Sequence, residues 1–343
     1  MTIHGFFILG IAFLHFIKYN IIYIVIIRKG DYMEDKKIKL IIDTDPGVDD
    51  TVCLIYALFS EKVDVKLLTT VTGNVNIDKA TRNLLHLLDL LKLDIPVAKG
   101  ADTAMERVSE NAEFIHQESG LGGYSPKEET NHKVINEHAV DAIYRVIMDG
   151  DGDIIPLILG PQTNFGLLFK KYPEVINKIP LIAFMGGSPY GVKGYPDHIS
   201  FNISFDPEAF KIVLDSKIPL LMLPSNVGRR LAHLDEKYVE NLKDINDVGK
   251  LMHKMYSMYW EPNFPDKRVA TNDVCALLAL IYPDMFTTEK INVTVDLFDA
   301  PGKTLVEFTK DGQVDLITGV DRDKFLKLLN EELSKLNHVK IDF

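Results

Sequence analysis

The stretch Ile-Ile-Asp-Thr-Asp-Pro-Gly-Val-Asp-Asp at residues 41–50 ends an apolar run in a cluster of acids. The residues just before it, 37–42, are rich in branched apolar side chains, which is typical of a buried strand. Pro46 and Gly47 then break the strand, and apolar residues at helical spacing over 48–60 predict a helix. Because ligands bind at the carboxyl edge of open parallel sheets, this turn is a candidate binding site.

The four acids of this turn are Asp43, Asp45, Asp49 and Asp50. Like-charged carboxylates at close range cannot all stay ionised unless a positive charge lies among them. A hard divalent cation is the simplest source of that charge. A single Asp-x-Asp at a strand end has ordinary explanations, since Asp also caps helices and fills turns. Four acids around a Pro-Gly break are harder to explain in that way, so they predict a metal site.

The rest of the chain alternates between strand and helix patterns. This alternation predicts an α/β fold with a doubly wound, mainly parallel sheet in a single domain. Towards the C-terminus, the pattern predicts a strand over 291–297, a hairpin through Lys310-Asp311-Gly312 and an amphipathic helix over 321–336. The carboxyl edge of the sheet would then collect polar residues from distant segments, among them Asn74 after the second strand and Asp273 at a helix start.

Composition narrows the class of partner and the compartment. The chain has 343 residues, 46% of them hydrophobic, and a net charge of −11. It has no long basic run, which argues against nucleic acid as a partner. The only two cysteines, Cys53 and Cys275, lie in apolar segments, so a disulfide framework is not expected and a reducing, cytoplasmic compartment fits.

Residues 1–32 differ from the remainder, since Ile3 to Ile27 is mostly apolar and ends at Arg28-Lys29. The run is long enough to span a bilayer once, although it contains polar residues that are costly in hydrocarbon. It could also be a secretion signal, although it lacks a basic start and a small-residue cleavage site. A third interpretation is that synthesis starts at Met33. The predicted domains are therefore an apolar N-terminal extension, 1–32, and one coherent α/β domain, 33–343.

The ordered motifs resemble the inosine-uridine preferring nucleoside hydrolase family, from about Lys37 to the C-terminus. The resemblance implies Ca²⁺-dependent hydrolysis of the N-glycosidic bond of ribonucleosides to free base and ribose, in nucleoside catabolism and purine or pyrimidine salvage. Besides Asp-Thr-Asp-Pro-Gly-Val-Asp-Asp at 43–50, four motifs carry the resemblance: Thr-Gly-Asn at 72–74, Met-Gly-Gly at 185–187, Phe-Asn at 201–202 and Asp-Pro-Glu-Ala at 206–209.

The resemblance also implies roles for single residues. Asp45, Asp50, Asp273 and the backbone carbonyl of Leu159 match the family's calcium ligands, and Asp45 also matches the general base. Aromatic residues at helical spacing commonly fill a core instead of a binding site, so contact with the base is one of two interpretations for Tyr256 and Trp260. Relatives are commonly dimers or tetramers, so a homo-oligomer is expected. The substrate-binding positions are Asp49, Asn74 and Asn202 at the ribose, and Tyr256 and Trp260 beside the base.

Three departures from the family pattern affect the expected chemistry. Many purine-active relatives have a histidine before the last calcium Asp, and this chain has Asn272 at that candidate catalytic position. An amide cannot act as a general acid near neutral pH, so water or His116 would have to protonate the leaving base. His116 could equally be an ordinary loop histidine. Ser200 replaces a Glu, and the loop over 186–201 lacks an expected Asn, so we expect altered recognition of the ribose 5′ end.

Two other functions remain open from the sequence. Asp-Thr-Asp after a strand also resembles the haloacid-dehalogenase phosphatases, which use an Asp nucleophile and Mg²⁺. Gly47 stands where that motif has Thr or Val, and Asp49 and Asp50 have no role in it. A relative that kept the metal site but lost catalysis would instead bind nucleosides or calcium, and Asn272 and Ser200 favour that alternative.

Overall fold

A computed structural model describes residues 37–195, 197–261 and 264–343. The predictions for the extension 1–32 and for a start at Met33 lie outside these residues. In the part of the chain that is described, no helix is both long and apolar enough to cross a membrane.

The main sheet of the described residues has nine strands, and two further short strands pair separately. In chain order, the strands are β1 (Ile38–Thr44), β2 (Val63–Thr70), β3 (Val97–Lys99), β4 (Ile154–Ile158), β5 (Ile182–Met185), β6 (Leu220–Leu223), β7 (Leu234–Asp235), β8 (Arg268–Val269), β9 (Phe286–Val295), β10 (Thr304–Phe308) and β11 (Val314–Val320).

Helices alternate with these strands through most of the chain. Short 3₁₀ or π segments at 173–178, 227–231, 283–285 and 335–338 complete the described secondary structure. The α-helices are α1 (Val48–Phe59), α2 (Ile77–Leu91), α3 (Glu113–His116), α4 (Ala139–Asp149), α5 (Thr163–Lys171), α6 (Phe201–Phe205), α7 (Pro207–Asp215), α8 (Glu236–Leu242), α9 (Asp247–Tyr256), α10 (Asn272–Ile281) and α11 (Arg322–Ser334).

The strand order of the main sheet is β10-β9-β11-β6-β5-β4-β1-β2-β3. All neighbouring pairs from β11 through β6 to β3 are parallel. From β1 the chain adds β2 and β3 on one side and then β4, β5 and β6 on the other side. The strand order therefore reverses between β1 and β4. Such a reversal opens a crevice at the carboxyl ends of the two strands, where ligands bind. The predicted α/β fold with a doubly wound, mainly parallel sheet is confirmed, and residues 45–50, which we call the acidic turn, lie at this crevice.

The predicted hairpin through Lys310-Asp311-Gly312 is wrong. The strands on either side of this turn, β10 and β11, do not pair with each other. Both pair antiparallel with β9, which lies between them. Turn residues signal a reversal of the chain, but they do not determine which strand occupies the space in between.

Helices cover both faces of the sheet. On one face, apolar residues of α4, α5 and α7 pack with the sheet into a continuous core, which includes Ile143, Phe165 and Phe210. On the other face, helix α1 is buried over residues 48–57. A helix that is apolar on all sides needs partners on all sides. One of those partners is α11, since the Tyr56 hydroxyl donates to the Leu329 carbonyl at 3.2 Å.

Asp43 lies inside β1, two residues before the start of the acidic turn, and it is bonded to neighbouring elements. Its carboxylate Oδ1 accepts hydrogen bonds from the Thr69 hydroxyl at 2.5 Å and from the Asn164 amide at 2.7 Å. Asn164 also bonds the carbonyl of Thr70 at 3.0 Å. Burial raises the pKa of Asp43 to about 7, although these two hydrogen bonds oppose the rise. Asp43 therefore connects β1, β2 and α5.

Replacing Asp43 with alanine is expected to lower the free energy of unfolding by about 2–4 kcal/mol, because the buried donors of Thr69 and Asn164 lose an acceptor. Thermal or urea denaturation measures the change. Asp43→Asn is the matched control, since its amide oxygen can still accept both bonds, and it should cost less than about 1 kcal/mol. Equal losses in the two variants would contradict this role for the carboxylate.

Candidate active site

Two helix N-termini bring three acids together at the crevice. Asp49 and Asp50 lie in the first turn of α1, and Asp273 lies in the first turn of α10. One carboxylate oxygen from each lies within 4.8 Å of the other two, and all three residues are buried. Helix N-termini favour negative charge, which explains how two adjacent acids are tolerated in α1. The convergence depends on packing between α1 and α10, which are distant in sequence.

Asp50 is held in place by four hydrogen bonds. Its Oδ1 accepts from the Thr44 hydroxyl at 2.6 Å and from the backbone N–H of Asp45 at 3.3 Å. Its Oδ2 accepts from the backbone N–H of Gly47 at 3.2 Å and from the Asn74 side-chain amide at 2.9 Å. The carboxylate thus closes the acidic turn, and its orientation is fixed.

Asp45 is completely buried next to this group, with one oxygen bonded and one without a partner. Its Oδ2 accepts from the backbone N–H of Asn74 at 2.6 Å. Its Oδ1 has no hydrogen-bond partner among the described residues. A Cβ on Gly73 would collide with this carboxylate, and one on Gly160 would lie 2.6 Å from Oδ1. Two glycines therefore leave room for Asp45 between the ends of β1, β2 and β4.

The pKa values of these acids reflect burial and mutual repulsion. Burial, followed by the charge of Asp50, raises the pKa of Asp45 well above the ordinary value. The same causes raise the pKa of Asp49 to about 7. The pKa of Asp273 is raised by burial and then by the charge of Asp49. The nearby charges that act most strongly on these three groups are all carboxylates, so the site is strongly electronegative.

The residues fit a hard divalent cation. Ca²⁺ prefers six to eight oxygen ligands, and buried carboxylates from separate elements supply them here. The predicted ligands Asp50 and Asp273 lie in the cluster of three, whose third member is Asp49. Asp45 adds its unpartnered Oδ1 beside Gly160, the residue that follows Leu159. The Leu159 carbonyl accepts from the Asn202 side-chain amide, which leaves it one lone pair.

Asn202 belongs to α6 and reaches the same edge of the sheet. Besides the Leu159 carbonyl, its side-chain amide bonds the carbonyl of Met185 at 3.1 Å. Asn74 follows β2 and bonds both Asp45 and Asp50. The structure therefore brings both predicted ribose-binding amides to the edge that carries the acids.

His116 ends the short helix α3 and is buried beside α1. Its Nδ1 accepts the backbone N–H of Val48 at 3.2 Å, which leaves the proton of the neutral ring on Nε2. Burial lowers the pKa of His116 to about 4. The histidine is therefore neutral at pH 7 and can donate a hydrogen bond only through Nε2.

Tyr259 is a site residue that the sequence did not single out. Its hydroxyl lies close enough to the Asp49 carboxylate to lower the pKa of that group, and its ring lies 5.1 Å from the His116 ring, centroid to centroid. Helix α9 ends at Tyr256, and the backbone N–H of Tyr259 then bonds the carbonyl of Tyr256 at 3.0 Å in a turn. The spacing of the aromatics was visible in the sequence, but the turn that redirects the chain at residue 257 was not.

Tyr259→Phe is expected to lower kcat/KM by about three- to tenfold, because the hydroxyl that favours the ionised form of Asp49 is lost while the ring beside His116 remains. Steady-state kinetics with a ribonucleoside measure the change. Tyr238→Phe is the control, since the Tyr238 hydroxyl has no hydrogen-bond partner among the described residues. If Tyr259→Phe and Tyr238→Phe had the same kcat/KM, the Tyr259 hydroxyl would make no contribution to the reaction.

The remaining predicted site residues, Tyr256, Asn272 and Trp260, differ in burial and in their partners. Tyr256 is fully buried, and burial followed by the charge of Asp49 raises its pKa. Asn272 precedes Asp273 and its buried Oδ1 has no partner in the described chain. Trp260 is only partly buried, with its indole N–H bonded to the carbonyl of Ser257 at 3.0 Å and the Lys267 ammonium 5.5 Å from its ring.

Known proteins with similar sequences and structures are ribonucleoside hydrolases. The non-specific ribonucleoside hydrolase RihC of Escherichia fergusonii is 33% identical over 305 residues, which cover 87% of this chain and 99% of that protein. RihC of Klebsiella pneumoniae is 35% identical over 76% of this chain and 84% of its own. The purine-preferring ribonucleoside hydrolase from Gardnerella vaginalis has a TM-score of 0.80 at 29% identity, over 88% of this chain and all of that one.

These relatives are N-glycosyl hydrolases, and the chain is an enzyme of the same class. The model of the inosine-uridine preferring nucleoside hydrolase family matches residues 40–327. The chain therefore belongs to the inosine-uridine preferring nucleoside hydrolase family.

Proposed function

We propose that the protein hydrolyses the N-glycosidic bond of ribonucleosides in a Ca²⁺-dependent reaction that releases free base and ribose. The observation that carries this proposal is the convergence of Asp49, Asp50 and Asp273 within 4.8 Å, with an unpartnered oxygen of Asp45 buried beside them. A cluster of buried carboxylates without a paired cation is costly, and it is explained if the site binds a metal and a polar substrate.

Asp45, Asp50, Asp273 and the Leu159 carbonyl would hold the cation. Bound Ca²⁺ supplies positive charge that lowers the pKa of a nearby water and attracts sugar hydroxyls. Asp45 would accept the proton of the attacking water at its buried Oδ1, which has a second lone pair besides the one offered to the cation. The water oxygen then bonds to the anomeric carbon as the bond to the base nitrogen breaks, and the bonding electron pair leaves with the base.

Asp49, Asn74 and Asn202 bind the ribose in this proposal. The carboxylate of Asp49 would lie beside the sugar carbon on which positive charge develops, and a fixed negative charge stabilises an oxocarbenium-like transition state. Asn74 and Asn202 are held by hydrogen bonds to the acidic turn and to the ends of β4 and β5. Preorganised groups of this kind need little rearrangement when the reaction occurs.

The base would lie beside His116, Tyr259 and Tyr256, with Trp260 at the edge of the site. Neutral His116 donates a hydrogen bond from Nε2 to the leaving base. Asn272 offers an amide for the same purpose. Water completes the protonation of the base, because neither side chain carries a proton acidic enough to be transferred fully at pH 7.

The experiment is incubation of the purified protein with a panel of purine and pyrimidine ribonucleosides and Ca²⁺, followed by chromatography of the bases and assay of reducing sugar. Equimolar base and ribose from at least one nucleoside support the proposal. Nucleoside binding without base release would indicate a non-catalytic relative. Phosphate release from sugar phosphates in place of base release would favour the phosphatase alternative.

We also propose that the protein acts in the cytoplasm as a homodimer or homotetramer. Both cysteines are buried free thiols, which suits a reducing compartment. Light scattering coupled to gel filtration measures the mass of the assembly against 38.7 kDa per chain. A monomer at micromolar concentration would contradict the expected assembly.

A further inference from the structure

Asn83 connects two segments of the site, the acidic turn and the loop that contains Ser119. It lies on α2 and is 1% exposed. Its side-chain amide donates to the carbonyl of Pro46 in the acidic turn at 3.1 Å and to the carbonyl of Ser119 at 3.0 Å. Its Oδ1 accepts from the Arg82 guanidinium at 3.1 Å. Both amide hydrogens and the oxygen are therefore bonded, and the side chain has one defined orientation.

Ser119 belongs to residues 116–124, which we call the His116 loop. The backbone of this loop closes on itself, since Gly122 N–H bonds the His116 carbonyl at 3.0 Å and Gly120 N–H bonds that of Gln117 at 2.9 Å. Gln117 adopts φ +65°, which is a costly conformation for a residue with a side chain. Surrounding contacts must hold such a loop in shape.

Asn83 supplies one of these contacts. A Cβ on Gly120, which has φ +81°, would lie 2.8 Å from the Asn83 amide nitrogen. The Arg82 guanidinium adds a bond to the Ser119 carbonyl at 3.1 Å. The loop thus rests on α2 at Asn83, while His116 at its start bonds Val48 at the start of α1.

We infer that Asn83 is a positioning residue, which sets the distance between the His116 ring and the acidic turn by bonding the carbonyls of Pro46 and Ser119 with one amide. The inference rests on the proposed role of His116 beside the leaving base. Asn83 touches neither substrate nor cation, and it acts through the His116 loop. A displacement of about 1 Å in a catalytic group can lower the rate up to about a hundredfold.

The test combines a double-mutant cycle with hydrogen exchange, using the full-length protein. In the wild-type background, Asn83→Ala should lower kcat roughly tenfold or more with little change in KM. In the His116→Ala background, the same substitution should change kcat less than about twofold, because the group it positions is gone. Asn83→Ser, which keeps one hydrogen-bonding group and should give a smaller loss, serves if Asn83→Ala does not fold.

Hydrogen exchange measures how often the backbone of the loop opens, and it needs no substrate. Peptides that cover the His116 loop should exchange at least about tenfold faster in Asn83→Ala. The matched control is Tyr124→Phe, which removes the 2.8 Å bond between the Tyr124 hydroxyl and His86 Nε2 at the far end of the same loop. This control should leave kcat and the exchange of Gly120 and Gly122 near wild-type values.

Equal losses of kcat in both backgrounds would overturn the inference, since Asn83 would then act independently of His116. Unchanged exchange in the loop would overturn it as well, and so would a loss of Ca²⁺ affinity in Asn83→Ala as large as the loss in kcat. If the wild-type protein cleaves no nucleoside, the proposed function fails, and the exchange experiment still decides whether Asn83 holds the loop.

Discussion

Asp45→Asn is expected to lower kcat by about 10²- to 10⁴-fold, because the amide cannot accept a proton from the attacking water. The substitution keeps the shape of the side chain, and its oxygen can still accept the 2.6 Å bond from the backbone N–H of Asn74. The loss should therefore appear in kcat while the protein remains folded. Ribose release under saturating nucleoside and Ca²⁺ measures the change.

Asp43→Asn is the matched control for this experiment. Asp43 lies two residues earlier and is also fully buried, but its carboxylate bonds Thr69 and Asn164. It should keep kcat within about fivefold of the wild-type value, since it has no role in the proton transfer. An Asp45→Asn enzyme as active as Asp43→Asn would exclude Asp45 as the general base.

Asp50→Ala is expected to abolish both Ca²⁺ binding and turnover. Asp50 lies in the cluster with Asp49 and Asp273, and it also orients the acidic turn by accepting four hydrogen bonds. Its removal takes away one ligand and releases the backbone that carries Asp45. Losing a ligand from a site of this kind is expected to raise the dissociation constant by more than about a hundredfold. Calorimetric titration with Ca²⁺ and the ribose assay measure the two effects.

Thr44→Val separates the two contributions of Asp50. It removes only the 2.6 Å bond from the Thr44 hydroxyl and keeps the carboxylate in place. We expect a loss in affinity of about 10- to 100-fold, which is typical when a group that orients a metal ligand is removed. Full activity in Asp50→Ala would eliminate the proposed mechanism.

Local patterns in the sequence predicted most of the fold near the site. The apolar run before Asp43, the Pro-Gly break and the helical spacing after Val48 are short-range signals, and β1 and α1 follow them closely. The alternation of strands and helices predicted the parallel sheet. The failure at Lys310–Gly312 came from long-range pairing, because β9 inserts between β10 and β11. No turn signal contains that information.

The site shows the same division between local and distant information. The acidic turn is recognisable in the sequence from its closely spaced acids alone, and Asp273 is recognisable as an acid at a helix start. Tyr259 reaches Asp49 only because α9 ends one turn earlier, at Tyr256. Asn83 lies in a leucine-rich helix, and nothing in its sequence neighbours indicates that it bonds two distant carbonyls. Contacts that depend on tertiary packing were the ones that the sequence did not predict.

The most direct test of the account is ribonucleoside cleavage by protein freed of divalent cations with a chelator and then titrated with Ca²⁺. The account predicts that ribose release falls to background in the chelator and returns in proportion to bound Ca²⁺, saturating at one ion per chain. Undiminished cleavage by the fully chelated protein would contradict it.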